Sequence, residues 1–253
     1  MLIGLMADIH ANREAFEACL ADARARGVSR FVFLGDYVGY GADPEWVVET
    51  LMELVSAGSR ALLGNHDAAV GARTEVMESA AAEVIEWTRG RLGAPERAFL
   101  SGLPAVVEDE GRLFVHSEAV APAKWTYVNE PPDAARSMRA TRLRTTFCGH
   151  VHKPSIYSMS EMWGNVAQMW KVTPFRPATS VAVPLLAQRR WLVVLGSVGQ
   201  PRDGNPAAAW SLLDTQANVV TFHRVPYDID TTEAKIRKAG LPGSFAERLR
   251  IGR

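Results

Sequence analysis

Thiols, unbalanced charge and long apolar runs are all scarce in this chain of 253 residues, and each scarcity removes a class of explanation. Its two cysteines, Cys19 in a helical pattern and Cys148 at the end of a strand pattern, argue against a disulfide framework and read as core packing in a reducing, cytoplasmic setting. Basic and acidic residues balance at 28 each, so no overall field draws the protein to a nucleic-acid polymer or an anionic membrane. An anionic ligand must therefore be held locally. The apolar runs, such as Trp191 to Leu195, fall far short of the roughly 20 residues of a membrane-spanning helix. The start, Met1-Leu2-Ile3-Gly4, lacks the basic stretch and apolar run of a secretory signal. What remains, at 47% hydrophobic, suits one enzyme-sized domain over residues 1–253, without internal repeat or linker.

Residues 2–6 read as a buried strand that turns polar at Ala7-Asp8-Ile9-His10. Asn12 then stands where it can cap a helix whose Ala15, Phe16, Cys19, Leu20 and Ala23 recur at helical spacing. The unit repeats with a strand at 30–34, a glycine-rich loop at 35–42 and a helix opened by Asp43-Pro44. A third strand at 59–63 precedes Gly64-Asn65-His66-Asp67. Three such units imply right-handed crossovers and a largely parallel sheet, with the loops gathered along the edge where ligands bind. A helical stretch at 75–100, a hairpin of 105–108 with 113–116, and a helix at 133–142 follow. From 145 onward the pattern is β-rich, with strands at 145–148, 155–159, 179–186, 191–197, 208–213 and 219–225, and reads as a second sheet. Two facing mixed sheets with helices outside make an α/β fold, a four-layer αββα sandwich. Residues 160–190 form an elongated connection whose Trp163, Met169, Trp170 and Phe175 read as packing or a dimer contact, and a homo-oligomer stays open.

Five of the six histidines sit in short motifs with Asp, Asn and Gly: Asp8-Ile9-His10, Gly35-Asp36, Gly64-Asn65-His66-Asp67, a strand-end His116, and Gly149-His150-Val151-His152. Asp-x-His and His-x-His at strand ends put both side chains on one side of an extended backbone, within reach of one ion. Asp36 is a carboxylate and can bridge two cations, which an imidazole cannot. Asn65 adds a neutral oxygen. The donors are nitrogen and oxygen with no thiolate, which disfavours a closed structural zinc site and suits two open divalent ions chosen from Mn, Fe, Zn, Co or Ni, with Mn favoured. A metal pair activates a shared water and holds phosphoryl oxygens, so the chemistry indicated is phosphoester hydrolysis.

These motifs, in this order, resemble the calcineurin-like metallophosphoesterase family, in its small bacterial single-domain branch. Gly196-Ser197-Val198-Gly199-Gln200-Pro201-Arg202 and the later Arg224-Val225-Pro226-Tyr227-Asp228 extend the likeness over nearly the whole chain. The resemblance implies that Asp8, His10 and His152 serve one metal, that Asn65, His116 and His150 serve the other, and that Asp36 bridges. It leaves His66 as proton donor to the leaving oxygen or as stabiliser of the transition state. The implied reaction is hydrolysis of a phosphomono- or phosphodiester by a metal-bridging hydroxide, with dinucleoside polyphosphates or phosphoproteins as alternative substrates, and a noncatalytic scaffold of the same fold as the rival from another class.

Three places depart from the family pattern, one of them the elongated connection at 160–190, whose function no motif identifies. The protein-phosphatase branch has an Asp three residues after the bridging Asp to orient the catalytic histidine, and here that position is Gly39. Ser117-Glu118 stands where Gly often follows the lone histidine, and reads as narrowing the site or adding a polar contact. Asp67 reads as a structural residue that fixes a neighbouring imidazole. Arg202 is a weaker substrate-binding candidate, because a guanidinium matches phosphate oxygens.

Overall fold

A computed structural model describes residues 1–72, 79–163 and 168–253. The first strand, β1 (Leu2–Met6), sends Ile3 and Leu5 to one side and Met6 to the other, as a pleated strand must, and each set meets a separate core. Asn12 caps α1 (Arg13–Ala25) by accepting from the Ala15 amide at 3.1 Å, and the five expected positions of that helix are buried. β2 (Arg30–Phe33) runs parallel to β1. Pro44 opens α2 (Pro44–Ser56), but the Asp43 side chain makes no cap bond and instead accepts from Lys235 Nζ at 2.9 Å.

The third strand is shorter than its sequence pattern. β3 (Arg60–Ala61) has two residues, because Leu63 leaves the ladder and donates to the Pro104 carbonyl at 2.9 Å. After α3 (Asn65–Ala72), the expected helix at 75–100 is two helices, α4 (Ser79–Arg91) and α5 (Ala94–Ser101), with Pro95 in the first turn of the second. The expected start at Glu75 lies outside the described residues.

β4 (Val106–Asp109) and β5 (Arg112–Val115) form the expected hairpin, and α6 (Pro131–Arg139) precedes β6 (Thr145–Cys148). Residues 160–190 contain more order than a connection. β7 (Ser155–Trp163) runs on through its first part and β8 (Gln168–Phe175) returns antiparallel to it. Trp170 packs on the core beneath α6, Phe175 is exposed, and the side chains of Trp163 and Met169 lie outside the described residues. The remaining elements are β9 (Ala182–Pro184), β10 (Arg190–Val194), β11 (Ala208–Asp214), β12 (Val219–Val225), α7 (Ile229–Lys238) and α8 (Gly243–Ile251). The last two helices go beyond the elements expected from the sequence.

The strands sort into two mixed six-stranded sheets, ordered β3-β2-β1-β11-β12-β9 and β4-β5-β6-β10-β7-β8. This corrects the division of the chain into a first-half and a second-half sheet. β11 pairs antiparallel with β1 and closes the edge that β2 leaves open, so the first sheet is not largely parallel. Between the sheets, Ile3, Leu5, Val32 and Leu34 meet Phe114, Phe147, Trp191 and Val193. Outside the first sheet, Phe31, Phe33 and Trp210 pack with α1 and α2, and outside the second, Leu113, Leu192 and Val194 pack with Met138 of α6. The result is the αββα layering. Among the described residues no helix is long and apolar enough to cross a membrane.

One buried hydroxyl ties the ends of the second and third strands together. Tyr37 Oη accepts from the Gly35 and Leu62 amides at 3.0 and 3.1 Å and lies 2.6 and 2.9 Å from the Leu62 and Phe33 carbonyl oxygens. The Leu62 amide also donates to the Phe33 carbonyl at 3.1 Å, so Tyr37→Phe strands the Gly35 amide and the Leu62 carbonyl, and we expect a loss of about 1–3 kcal/mol in urea unfolding with an unchanged slope. A change near zero would mean that the loops hold without it.

Candidate metal centre

Asp8, Asp36, Asn65, His116 and His150 follow the C-terminal ends of β1, β2, β3, β5 and β6, and parallel pairing of β1 with β2 and β5 with β6 brings those ends to neighbouring edges. The loops are laced together beyond the strands. Asp8 and His10 amides donate to the Gly35 and Asp36 carbonyls at 3.0 Å each, and the Gly199 amide donates to the Asp8 carbonyl at 2.9 Å. The Asp8 carboxylate accepts the His150 amide, with both oxygens at 3.1 Å. Gly149 permits that approach, since a Cβ there would stand 2.8 Å from Asp8 Oδ2.

All seven expected ligands converge, but not by the backbone the motifs suggested. Asp8, His10, Asp36, His150 and His152 have φ of 56°, 50°, 56°, 66° and 61°, the left-handed region that such residues rarely adopt. The pairs Asp8/His10 and His150/His152 therefore meet through tight turns rather than along extended strands. Backbone strain of this kind gathers where side chains must be aimed.

Two groups result. His10 Nε2 lies 3.2 Å from His152 Nε2, which is 3.3 Å from Asp8 Oδ1. His116 Nε2 lies 3.1 Å from His150 Nδ1 and 3.2 Å from Asn65 Oδ1. Asp36 Oδ2 stands between the groups, 3.3 Å from His116 Nε2 and 3.9 Å from His10 Nε2, while its Oδ1 accepts the His66 amide at 2.9 Å. The outward nitrogen of each of the four rings touches a backbone carbonyl: Val38 for His10 at 3.1 Å, Gln200 for His152 at 2.7 Å, Leu34 for His116 at 2.7 Å and Trp125 for His150 at 2.8 Å. A carbonyl only accepts, so each neutral ring carries its hydrogen outward and turns a bare lone pair inward. Lone pairs this close repel unless a proton or a cation lies among them. These aspartates and histidines could hold metal ions, and all are buried.

The titration behaviour follows from the same crowding. Burial, together with the neighbouring His152 and His66, holds His10 well below the ordinary histidine value. Burial and His116 push His150 down to about 3. Burial also opposes charge on His116, but Asp36 overrides it and holds that ring up at about 9. Asp36 is held well below the carboxylate range, where His116 and His66 outweigh its burial. Without a cation, the proton on His116 is the one positive charge the second group keeps.

His66 sits beside this centre with a different environment. Its ring meets Tyr40 edge-on at 4.7 Å and His10 at 4.9 Å, and burial lowers its pKa against the pull of Asp36. Its Nδ1 is buried without a hydrogen-bond partner among the described residues, and a Cβ on Gly39 would stand 2.3 Å from it. Packing, not a carboxylate, orients this ring. His66 also comes within metal-ligand reach of His10 and Asp36, so proximity alone does not set it apart.

Asp67 holds the backbone rather than an imidazole. Its carboxylate accepts the Asp36, Tyr37 and Gly64 amides at 2.8, 2.9 and 3.0 Å, and burial followed by Asp36 raises its pKa to about 7. Glu118 likewise turns away from the centre and accepts the Val120 and Ala121 amides at 3.0 and 3.1 Å. Arg202 does reach the rim, where its Nη2 lies 3.4 Å from Tyr40 Oη and 3.1 Å from Gln200 Oε1. Three aromatic neighbours of the centre are not among the residues singled out by motif. Tyr40 packs on His10 at 4.5 Å, Tyr127 stacks on His150 at 4.1 Å, and Trp125 supplies the His150 carbonyl. Tyr127 and Trp125 lie in an aperiodic stretch that offers no signal, whereas Tyr40 could have been suspected from its place in the loop after Asp36.

Residues 1–218 match the model of the calcineurin-like phosphoesterase superfamily domain. The chain belongs to that superfamily. It is 32% identical to an uncharacterized protein of Methanocaldococcus jannaschii, over 100% of this chain and 98% of the other. It is similar to a metallophosphoesterase from Sphaerobacter thermophilus, at 35% identity and a TM-score of 0.85, covering 100% of this chain and 99% of that one. A hypothetical protein from Pyrococcus horikoshii shares the fold at 18% identity, with a TM-score of 0.77 over 100% and 98% of the two chains. Members of this superfamily are metal-dependent phosphoesterases, which accords with the convergence of carboxylates and imidazoles described above.

The pH response of the metal-free protein follows with a definite sign. His116, held above its unfolded value of about 6.5, contributes stability that is fully present below that pH and is lost as pH rises through about 9. Asp67, whose ionisation the fold resists up to about 7, also lowers native stability as pH climbs to that point. In EDTA, the urea midpoint should fall between pH 6.5 and 9. A flat or rising midpoint would contradict the assignment of that proton.

Proposed function

We propose that this superfamily member is a dinuclear metal-dependent phosphoesterase that hydrolyses a phosphomonoester or phosphodiester. The observation that carries the reading is the set of inward imidazole lone pairs arranged around Asp36 Oδ2. Asp8, His10 and His152 would hold one ion, Asn65, His116 and His150 the other, and Asp36 both. Two divalent cations, manganese first among Mn, Fe, Zn, Co and Ni, would supply the charge that holds phosphoryl oxygens and acidifies the attacking water.

The chain's own groups do the rest. The outward carbonyls fix the tautomers, so the ligand nitrogens stay free of hydrogen. Asp67 holds the Asp36 and Gly64 amides, and so places the bridging carboxylate against the loop that carries Asn65 and His66. His66, clamped between Gly39 and the Tyr40 ring, would donate a proton or a hydrogen bond to the leaving oxygen. The complete donor set disfavours the scaffold reading, in which lost ligands are the expected mark. Buried free thiols support a cytoplasmic setting.

Two substitutions separate the roles. Asp36→Ala should lose both bound metal and turnover of aryl phosphates in added manganese. His66→Gln should keep the wild-type metal content, measured by inductively coupled plasma mass spectrometry, and lose about 10²–10⁴-fold in turnover. An Asp36→Ala protein with full metal and normal rate would end the bridge assignment, and a metal-loaded wild type inert toward monoester, diester and dinucleotide alike would favour the scaffold.

A further inference from the structure

Beside the centre opens a groove of about 630 Å³, lined by five basic side chains, Lys153, Arg176, Arg202, Arg224 and Arg253. The acidic side chain in its lining is Asp203, and Arg224 already engages it. Lys153, Arg176 and Arg202 have no carboxylate partner among the described residues. In a chain with 28 basic and 28 acidic residues, this concentration is local and not a sample of a general excess.

The groove is joined to the centre through His152. Lys153 follows it in sequence, and the Arg202 amide donates to the His152 carbonyl at 3.2 Å. The Arg202 guanidinium then lies over the Tyr40 ring, 5.8 Å from its centroid, and that ring also packs on His10, His66 and Phe245. A ligand running from the centre into the groove therefore passes Arg202 first.

We propose that this groove is a subsite for a second phosphate of the substrate, remote from the phosphorus that is attacked. The proposal rests on the phosphoesterase reading and adds a substrate class to it: esters or anhydrides of phosphate that carry a further phosphate on the same small molecule. A carboxylate would be matched by one cation, whereas three unpaired cations, two of them guanidinium forks, suit the charge and the oxygen geometry of phosphate. The volume lies within the range of about 300–1,000 Å³ usual for small-molecule sites, which fits a nucleotide-sized ligand.

The test compares p-nitrophenyl thymidine 5′-phosphate with the same ester carrying a 3′-phosphate, since both release p-nitrophenol by one hydrolysis. The wild type should favour the phosphorylated ester in kcat/KM by about tenfold, as one charge-assisted hydrogen bond would give. Lys153→Gln with Arg176→Gln should bring that ratio close to one. Both side chains are exposed, so the double variant keeps its core. A wild-type ratio near one, or a ratio unmoved by the double substitution, overturns the subsite. Should neither ester be hydrolysed, turnover of the aryl monoester and dinucleotide decides the phosphoesterase reading separately, and calorimetric titration with thymidine 3′,5′-bisphosphate still decides the groove. Tighter binding to the wild type than to the double variant supports the subsite, and equal binding overturns it.

Discussion

Four buried rings forced to face one another with their bare nitrogens are the constraint from which the rest of this structure can be understood. Each outward N–H is spent on a backbone carbonyl, so the inward atoms can be satisfied only by positive charge. Desolvation makes protons a poor supply. His10 and His150 are held below the ordinary histidine value, whereas His116, beside Asp36, keeps its proton through neutrality. A site that repels protons while presenting lone pairs and a carboxylate oxygen is suited to divalent cations.

Holding that arrangement governs the fold around it. Five of the expected ligands occupy left-handed backbone, at a cost on the order of 1–2 kcal/mol each. The loops therefore cannot stand alone. They borrow order from parallel strands below, from carbonyl and amide bonds between loops, and from the buried acceptors of Asp67 and Tyr37. The glycines at these crossings leave no room for substitution, as at Gly199, where a Cβ would fall 1.8 Å from the Ile9 carbonyl. Both sheets contribute loops, so the centre exists only when the core between them has formed.

Residue chemistry made the centre legible before its geometry was known. Asp, His, Asn and Gly recur at strand ends in an order that few structural roles require, and the alternation of Ile3 and Leu5 or the helical spacing of Phe16 and Cys19 located the strands and helices carrying them. What local pattern does not hold is pairing at a distance. Nothing in residues 208–214 announces that they lie beside β1, and the ladder there joins positions over 200 apart, such as Leu2 with Asp214. Turn conformation was hidden for the same reason. Asp8 and His10 suggest extended backbone, and their left-handed φ appears only when Gly35, Gly199 and His150 are placed against them. Single aromatic residues in aperiodic loops, such as Trp125 and Tyr127, carry no signal until their partners are seen.

The account stands on two cations sharing Asp36. Crystals soaked in manganese and measured at its absorption edge address this directly. Two anomalous peaks about 3.5–4 Å apart are expected, one among Asp8, His10 and His152 and the other among Asn65, His116 and His150, with Asp36 Oδ2 touching both. A single peak away from Asp36, or none at saturating metal, would contradict it.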